Sequence, residues 1–313
     1  MIYAELAGGL GNQMFVYAFA RALGLRCGEG VTLLDRQDWR DGAPAHTACA
    51  LEALAISPGV RILSEPQFAK THLPRQNAAK ALMIKYEQRR GLLARDWQPF
   101  ERRMAPLLNI IGLHFATDGY TPARRGPSRD FLAWGYFQSE RYFADAAGTI
   151  RRELRAKTPP TGPFAAAIAA ARWPVAVHLR RGDYLKPENE ILQVCTPEYY
   201  AAAVAAVAAA KPEAELFVFT DDEPWAREHL PTAGLPATIL PQGAAANDLA
   251  LMQRCRGFVL SNSTYSWWAQ YLADAPDKIV WAPDRWYAHT KRSDLYLPGW
   301  RLIPTSHDTK DMP

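Results

Sequence analysis

The sequence predicts an α/β protein built on parallel sheets, and three observations carry that expectation. From residue 175 onward, short apolar runs rich in β-branched residues alternate with helical stretches at the spacing of βαβ units. Polar clusters follow three of those runs: His178-Leu179-Arg180-Arg181-Gly182-Asp183, Thr220-Asp221-Asp222 and Ser261-Asn262-Ser263-Thr264. The chain also opens with a strand, a glycine loop and a helix, the layout of a turn that cradles an anion. A length of 313 residues accommodates two domains, each with its own core.

In order, residues 2–6 read as the opening strand. The loop Ala7-Gly8-Gly9-Leu10-Gly11-Asn12-Gln13 leads into an apolar helix over 14–25. Met14 stands where a dinucleotide fingerprint needs its third glycine, so the loop signals close approach to a ligand rather than a dinucleotide. Asn12 and Gln13 suit sugar hydroxyls; Asn12 as a plain helix cap is the bland alternative. Residues 31–34 form a second strand. Periodicity is then poor as far as residue 130, with short helices at 51–54, 78–90 and 94–104. The run from 135 to 143 precedes a helix reaching 156, with Ser139 able to cap it, and its aromatic residues suit core packing.

Three prolines in Lys157-Thr158-Pro159-Pro160-Thr161-Gly162-Pro163 make it the best linker, dividing the chain into domains 1–160 and 161–313. A short helix at 164–172 follows. Strands are then predicted at 175–178, 215–219, 237–240, 257–260 and 278–281. The helices between them fall at 197–210, 224–229, 247–255 and 265–273, the third capped by Asn247 or Asp248.

Composition narrows the function classes. Apolar content of 49% and charged content of 22% suit a globular protein, and a net charge of +4 is too slight to imply nucleic acid. Between Lys70 and Arg103, nine basic residues stand against three acidic ones. A solvated helical face is the plain reading of that segment; peripheral contact with an anionic membrane or lipid-linked acceptor is the sharper one. Cys27, Cys49, Cys195 and Cys255 show no metal-ligand spacing and suit reduced thiols. No apolar run approaches a bilayer span and no signal peptide precedes the first strand, so the expected location is cytoplasmic.

The three polar clusters define the chemistry. In an open parallel sheet, ligands bind beyond the carboxyl ends of the strands. Arginine there matches phosphate oxygens in a planar fork, and the serine-rich start of a helix presents free N–H groups. Arg180 opposite Ser263, Thr264 and Tyr265 therefore reads as a diphosphate clamp that needs no metal. Asp221 and Asp222 are candidates for ribose or base contacts, with Mg²⁺ ligation the alternative. Scattered histidines argue against zinc, and neither a G-x-S-x-G nor a Walker loop is present.

His178-Leu179-Arg180-Arg181-Gly182-Asp183-Tyr184, Phe219-Thr220-Asp221-Asp222 and Ser261-Asn262-Ser263-Thr264-Tyr265-Ser266-Trp267-Trp268 resemble the three motifs of bacterial and animal α-1,2-fucosyltransferases. The opening loop from Gly8 to Met14 and the stretch from Gly135 to Phe143 resemble that family too. The resemblance spans residues 1 to about 285 and is loose over 36–130. It implies a GT-B-like architecture of two facing Rossmann-type domains. It further implies GDP-fucose as donor, a galactose-containing glycan acceptor, inversion at the anomeric carbon, and no cofactor or metal. The acceptor side falls to the first domain and the donor side to the second, with the tail after Asp284 able to pack back on the first.

Residue by residue, Arg180 resembles the arginine on the donor β-phosphate, and His178 a nucleotide or pyrophosphate contact. Ser263, Thr264 and Tyr265 resemble backbone and hydroxyl phosphate contacts, and Asn12 the first-loop asparagine facing fucose and acceptor. The resemblance supplies no catalytic base; Asp183, Glu188 and Glu190 are within reach along the chain. A fucosyltransferase of another linkage and a non-catalytic GDP-sugar sensor are the alternatives.

Overall fold

The computed structural model describes residues 1–35, 49–65, 67–90, 97–117, 119–290 and 293–305. The chain divides into two compact units, Met1–Arg155 and Ala156–Pro313. Each is a parallel sheet flanked by helices.

The first unit runs β1 (Ile2–Glu5), α1 (Leu10–Cys27), β2 (Val31–Leu34), β3 (Val60–Leu63), α2 (Phe68–His72), α3 (Pro74–Arg90), α4 (Gln98–Ile110), β4 (Leu113–Ala116), β5 (Phe131–Gly135) and α5 (Ala147–Glu153). Its strands lie in the order β3-β2-β1-β5-β4, all parallel. Alternation along β4 shows how the sheet is filled on both faces. Leu113 and Phe115 join Met83 of α3 and Leu108 of α4 in one core cluster. His114, pointing the other way, stacks on Phe19 of α1 at 5.4 Å and on Phe137 at 5.8 Å.

The second unit runs α6 (Pro163–Ala170), β6 (Trp173–Leu179), α7 (Pro197–Ala210), β7 (Ala214–Thr220), α8 (Glu223–His229), β8 (Ala237–Leu240), α9 (Ala245–Met252), β9 (Gly257–Val259), α10 (Thr264–Leu272), β10 (Ile279–Pro283) and β11 (Arg301–Ile303). The strand order β11-β10-β9-β6-β7-β8 is the Rossmann order, since the first three strands run outward one way and the last three the other. The α/β, GT-B-like expectation is met in this sense: each unit is a Rossmann-type fold on a parallel sheet.

Several elements differ from the sequence expectation for identifiable reasons. Helix α1 starts at Leu10, inside the glycine loop, with Gly9 and not Asn12 at its cap. Strands β3, β4, β5 and β11 were not predicted. The helix expected up to 156 is two 3-10 turns followed by the seven-residue α5, and Ser139 caps the first of those turns. The 94–104 helix is shifted to α4; residues 94–96 lie outside the described set, as do 36–48 and the tail after Thr305. Neither Asn247 nor Asp248 caps α9; Ala244 holds that position, and Asp248 accepts from Gly243 N–H at 2.9 Å.

One segment, Pro187–Ala210, meets the length and composition of a membrane span, contrary to the sequence reading. Its helical part, α7, has only 14 residues. At 1.5 Å per residue that covers about 21 Å, short of a ~30 Å hydrocarbon core. Tyr199, Tyr200, Ala203, Val204 and Val207 are buried in the core cluster over β6 and β7. It is a core helix.

His114 is fully buried, and neither ring nitrogen has a hydrogen-bond partner. Burial lowers its pKa from 6.5 to about 3, so the folded ring stays neutral where the unfolded one is protonated. The folded state thus binds fewer protons between those values, and the stability it contributes is lost as pH falls from 6.5 toward 3. Replacing His114 with Phe removes the unpaired nitrogens from an aromatic nest. Thermal unfolding should show stabilisation of roughly 1–3 kcal/mol and a weaker acid dependence. A lower melting temperature at neutral pH argues that the ring nitrogens are satisfied.

Candidate active site

Parallel strands deliver their carboxyl ends to one edge of a sheet, and a ligand crevice opens where the strand order reverses. In the second unit that point lies between β6 and β9. His178 is the penultimate residue of β6 and Ser261 lies just past β9; His178 Nδ1 and Ser261 Oγ share a hydrogen bond of 2.7 Å across the switch. Two adjacent tyrosines at the start of α7 hold the same two ends from behind. Tyr199 donates its hydroxyl to Leu260 C=O at 2.5 Å, and Tyr200 donates to His178 C=O at 3.3 Å. Thr196 caps α7 and Pro197 pre-sets its first turn, which puts both tyrosines in place.

Two arginines leave this edge. Arg180 forms ion pairs with Asp183 at 2.5 Å and Asp221 at 2.8 Å. Arg181 donates its backbone N–H to Asp221 at 2.9 Å and its Nε–H to Asp222 at 3.0 Å, and its guanidinium lies 4.0 Å from the centre of the Trp225 ring. The Asp221 carboxylate therefore joins both residues of the Arg-Arg pair to the end of β7. Gly182 makes this approach feasible, because an added Cβ would sit 2.6 Å from Asp221 Oδ2. Asp222 also caps α8 by accepting from Trp225 N–H at 3.2 Å.

Burial, with the Arg180 cation beside it, lowers His178 to about pKa 3, so it stands as a neutral imidazole. Neutral, it has one donor and one acceptor nitrogen, which suits hydrogen bonding to a ligand or to Ser261 but not charge pairing with phosphate. On the other side of the switch, Ser263 caps α10, accepting from Tyr265 N–H at 3.3 Å, and Thr264 is the first helical residue. The Tyr265 hydroxyl donates to Ala245 C=O at 2.5 Å, so its described role is to join α10 to α9. Trp267 and Trp268 are fully buried and serve the core, not a sugar face.

In the first unit the strand order reverses between β1 and β5. The Asn12 side-chain Oδ1 accepts from Gln138 Nε2 at 2.9 Å, beyond the ends of those two strands. Gly8 adopts a left-handed φ of 64°, and a Cβ there would collide with the Asn12 amide; only glycine leaves that side chain its place. Gln13 is fully buried, donating to Gly8 C=O at 2.9 Å and accepting from Ala50 N–H at 3.0 Å. It is a loop clamp, which corrects its reading as a sugar contact. Phe137, next to Gln138, holds φ of 51°, a strained value for a non-glycine residue.

The structure thus gathers His178, Arg180, Asp221, Asp222, Ser263 and Thr264 along one edge of one sheet. Asn12 belongs to the other unit. Asp183 is tied to Arg180, and Glu188 and Glu190 lie exposed on the 3-10 turn Pro187–Leu192. Sequence reasoning missed Gln138, Tyr199, Tyr200 and Asn262 as site-shaping residues. Asn262 donates both amide hydrogens, to Leu192 C=O at 2.9 Å and Trp286 C=O at 3.0 Å. The Tyr-Tyr pair after a Thr-Pro cap was the local signal for the tyrosines, while Gln138 and Asn262 lay inside stretches already singled out.

These strand-end residues sit on a Rossmann-type sheet, and sequence comparison identifies the family. The Glycosyl transferase family 11 model matches residues 118–304, and the chain belongs to that family. It is a glycosyltransferase, and its relatives bear out the resemblance to α-1,2-fucosyltransferases. It is 27% identical to the O-antigen biosynthesis glycosyltransferase WbnK of Escherichia coli, over 96% of this chain and 99% of that one. An α-1,2-colitosyltransferase of Escherichia coli is 24% identical over 92% of both chains. Galactoside α-(1,2)-fucosyltransferase 1 of Homo sapiens is 30% identical over 67% of this chain and 57% of its own length.

Removing the Asp221 carboxylate should leave Arg180 with one partner and the Arg181 N–H with none. Asp221→Ala is expected to lower stability by roughly 1.5–3 kcal/mol, with Asp221→Asn intermediate because it keeps one acceptor. Urea unfolding of the two variants measures this; equal melts for both and the wild type would remove Asp221 from the framework.

Proposed function

We propose that this glycosyltransferase moves L-fucose from GDP-fucose to the 2-hydroxyl of a galactoside-type acceptor, with inversion at the anomeric carbon and without a metal. The observation that carries the donor half is Arg180 beside the β6/β9 switch point, flanked by neutral His178 and the Ser263-capped start of α10. A nucleoside diphosphate suits this edge: guanidinium for the phosphates, the helix start for their remaining oxygens, and carboxylates for ribose or base hydroxyls. The linkage rests on the α-1,2 activities named for two relatives, and the sugar on the one named as a fucosyltransferase. On this reading the second unit is the donor side and the first unit, through Asn12, the acceptor side.

In the reaction the acceptor oxygen forms a bond to C1 of fucose. The bond from C1 to the β-phosphate oxygen breaks, and GDP leaves with that electron pair. The hydroxyl proton departs to a base, for which no residue is assigned. Asp183 is ion-paired with Arg180, and a loose, carbocation-like transition state lowers the demand for base assistance. Arg180 stabilises charge developing on the leaving phosphate, an effect worth roughly 3 kcal/mol for a preorganised donor. Asp221 and Asp222 are engaged by arginines, which supports metal independence. The Cys27, Cys195 and Cys255 thiols fit the reducing, cytoplasmic location that this reading includes.

An acceptor screen with GDP-fucose in excess EDTA tests this reading, with product linkage analysis and Arg180→Ala in parallel. The expected result is EDTA-resistant α-1,2 transfer to galactosides that falls about 100–1,000-fold in the variant. Full activity in Arg180→Ala overturns the clamp. EDTA-sensitive transfer restored by Mg²⁺ makes Asp221 and Asp222 metal ligands. A different linkage, or GDP-fucose binding without turnover, selects one of the two alternatives.

A further inference from the structure

We propose that the outward faces of α3 and α4 dock this protein on an anionic lipid surface. The inference goes beyond the donor and acceptor chemistry and stands on how these two helices distribute charge. Helix α3 buries Gln76, Lys80, Met83 and Glu87 against the sheet. At helical spacing on its opposite side stand Arg75, Leu82, Lys85, Tyr86 and Arg89, all exposed. Helix α4 buries Glu101, Ala105 and Leu108 and turns Arg103, Leu107 and Ile110 outward. Met83 and Leu108 share one core cluster, so the buried faces of both helices pack into the same core. Tyr86 stacks on Phe100 at 4.8 Å and joins the two helices into one surface.

This arrangement departs from that of an ordinary solvated helix, which exposes carboxylates on its outer face. Here both acidic residues of α3 and α4, Glu87 and Glu101, are buried, Glu101 accepting from Thr117 N–H at 2.7 Å. Lys80 is buried as well, paired with Glu5 at 2.6 Å, and so is not part of the surface charge expected from sequence. The exposed charge on the two helices is entirely positive among the described residues; Arg95 and Asp96 lie outside them. Between the cations, Leu82 is 70% and Leu107 62% exposed, and Ile110 57%.

Large aliphatic side chains ringed by Arg and Lys are the composition of an interfacial surface. The apolar groups enter the acyl boundary while the long cationic stems reach up to phosphates. Nucleic acid would satisfy the charge and leave the leucines in water. A second copy placed by two-fold symmetry would satisfy the leucines and set two positive faces against each other. An anionic bilayer surface satisfies both.

Co-sedimentation of the full chain with vesicles of phosphatidylglycerol and phosphatidylethanolamine, against pure phosphatidylcholine, tests the proposal. Binding to the anionic vesicles at low salt is expected, with release at high salt. Arg75→Gln and Arg89→Gln should each weaken partitioning about five-fold. The double variant Leu82→Ser, Leu107→Ser should lose binding while keeping its melting temperature and its transfer to a soluble acceptor. Absence of binding to anionic vesicles overturns the proposal, as do equal binding to phosphatidylcholine and undiminished binding in the variants. So do a vesicle-free dimer that the double serine variant dissolves, and duplex DNA bound more tightly than the vesicles.

Discussion

The Asp221 carboxylate is the contact on which the polar edge beyond β6 and β7 turns. Asp221 ends the second strand of its sheet and receives the Arg180 guanidinium on one oxygen and the Arg181 backbone N–H on the other. Without that bridge, the segment after β6 would be two arginines on an exposed turn. With it, a short polar loop acquires a fixed path, and Arg180 is ordered before any ligand arrives. Preorganisation of this kind is what makes a cation effective in a transition state, because no reorganisation accompanies the charge as it develops. The tightness around Gly182 follows from the same contact.

Electrostatics and packing divide the work at the switch point. Arg180 carries the charge, while His178 beside it is kept neutral by burial and by that same cation. The strand ends that carry them are held by tyrosine hydroxyls from α7. The edge thus combines a fixed cation with a neutral, buried polar neighbour.

Legibility differed sharply between the two halves, and the cause is physical. In the second unit, strands are buried on both faces and read as unbroken apolar runs, while Ala-rich helices and polar strand ends punctuate them. In the first, buried polar residues corrupt the pattern. His114 sits mid-strand in β4, and α3 turns Gln76, Lys80 and Glu87 inward and Leu82 outward, so its apolar period points the wrong way. Strands β3 and β11 are short edge strands with exposed residues and carry little signal. The polar clusters of the site were readable because they follow strands. Their pairings were not: that Arg180 meets Asp221, or that Tyr265 faces Ala245, depends on tertiary approach alone.

Asn262 ties the end of β9 to two other segments, and its own amide carries both connections. An asparagine followed by serine is a sequence prone to hydrolytic deamidation when the backbone is free to cyclise onto the side chain. Held at both hydrogens and 2% exposed, this one is withheld from that chemistry only while the fold is intact. Conversion to aspartate would turn two donors into acceptors facing two carbonyls, in a place where water cannot relieve them. Each transient opening of this edge therefore brings the Asn262 amide within reach of an irreversible step.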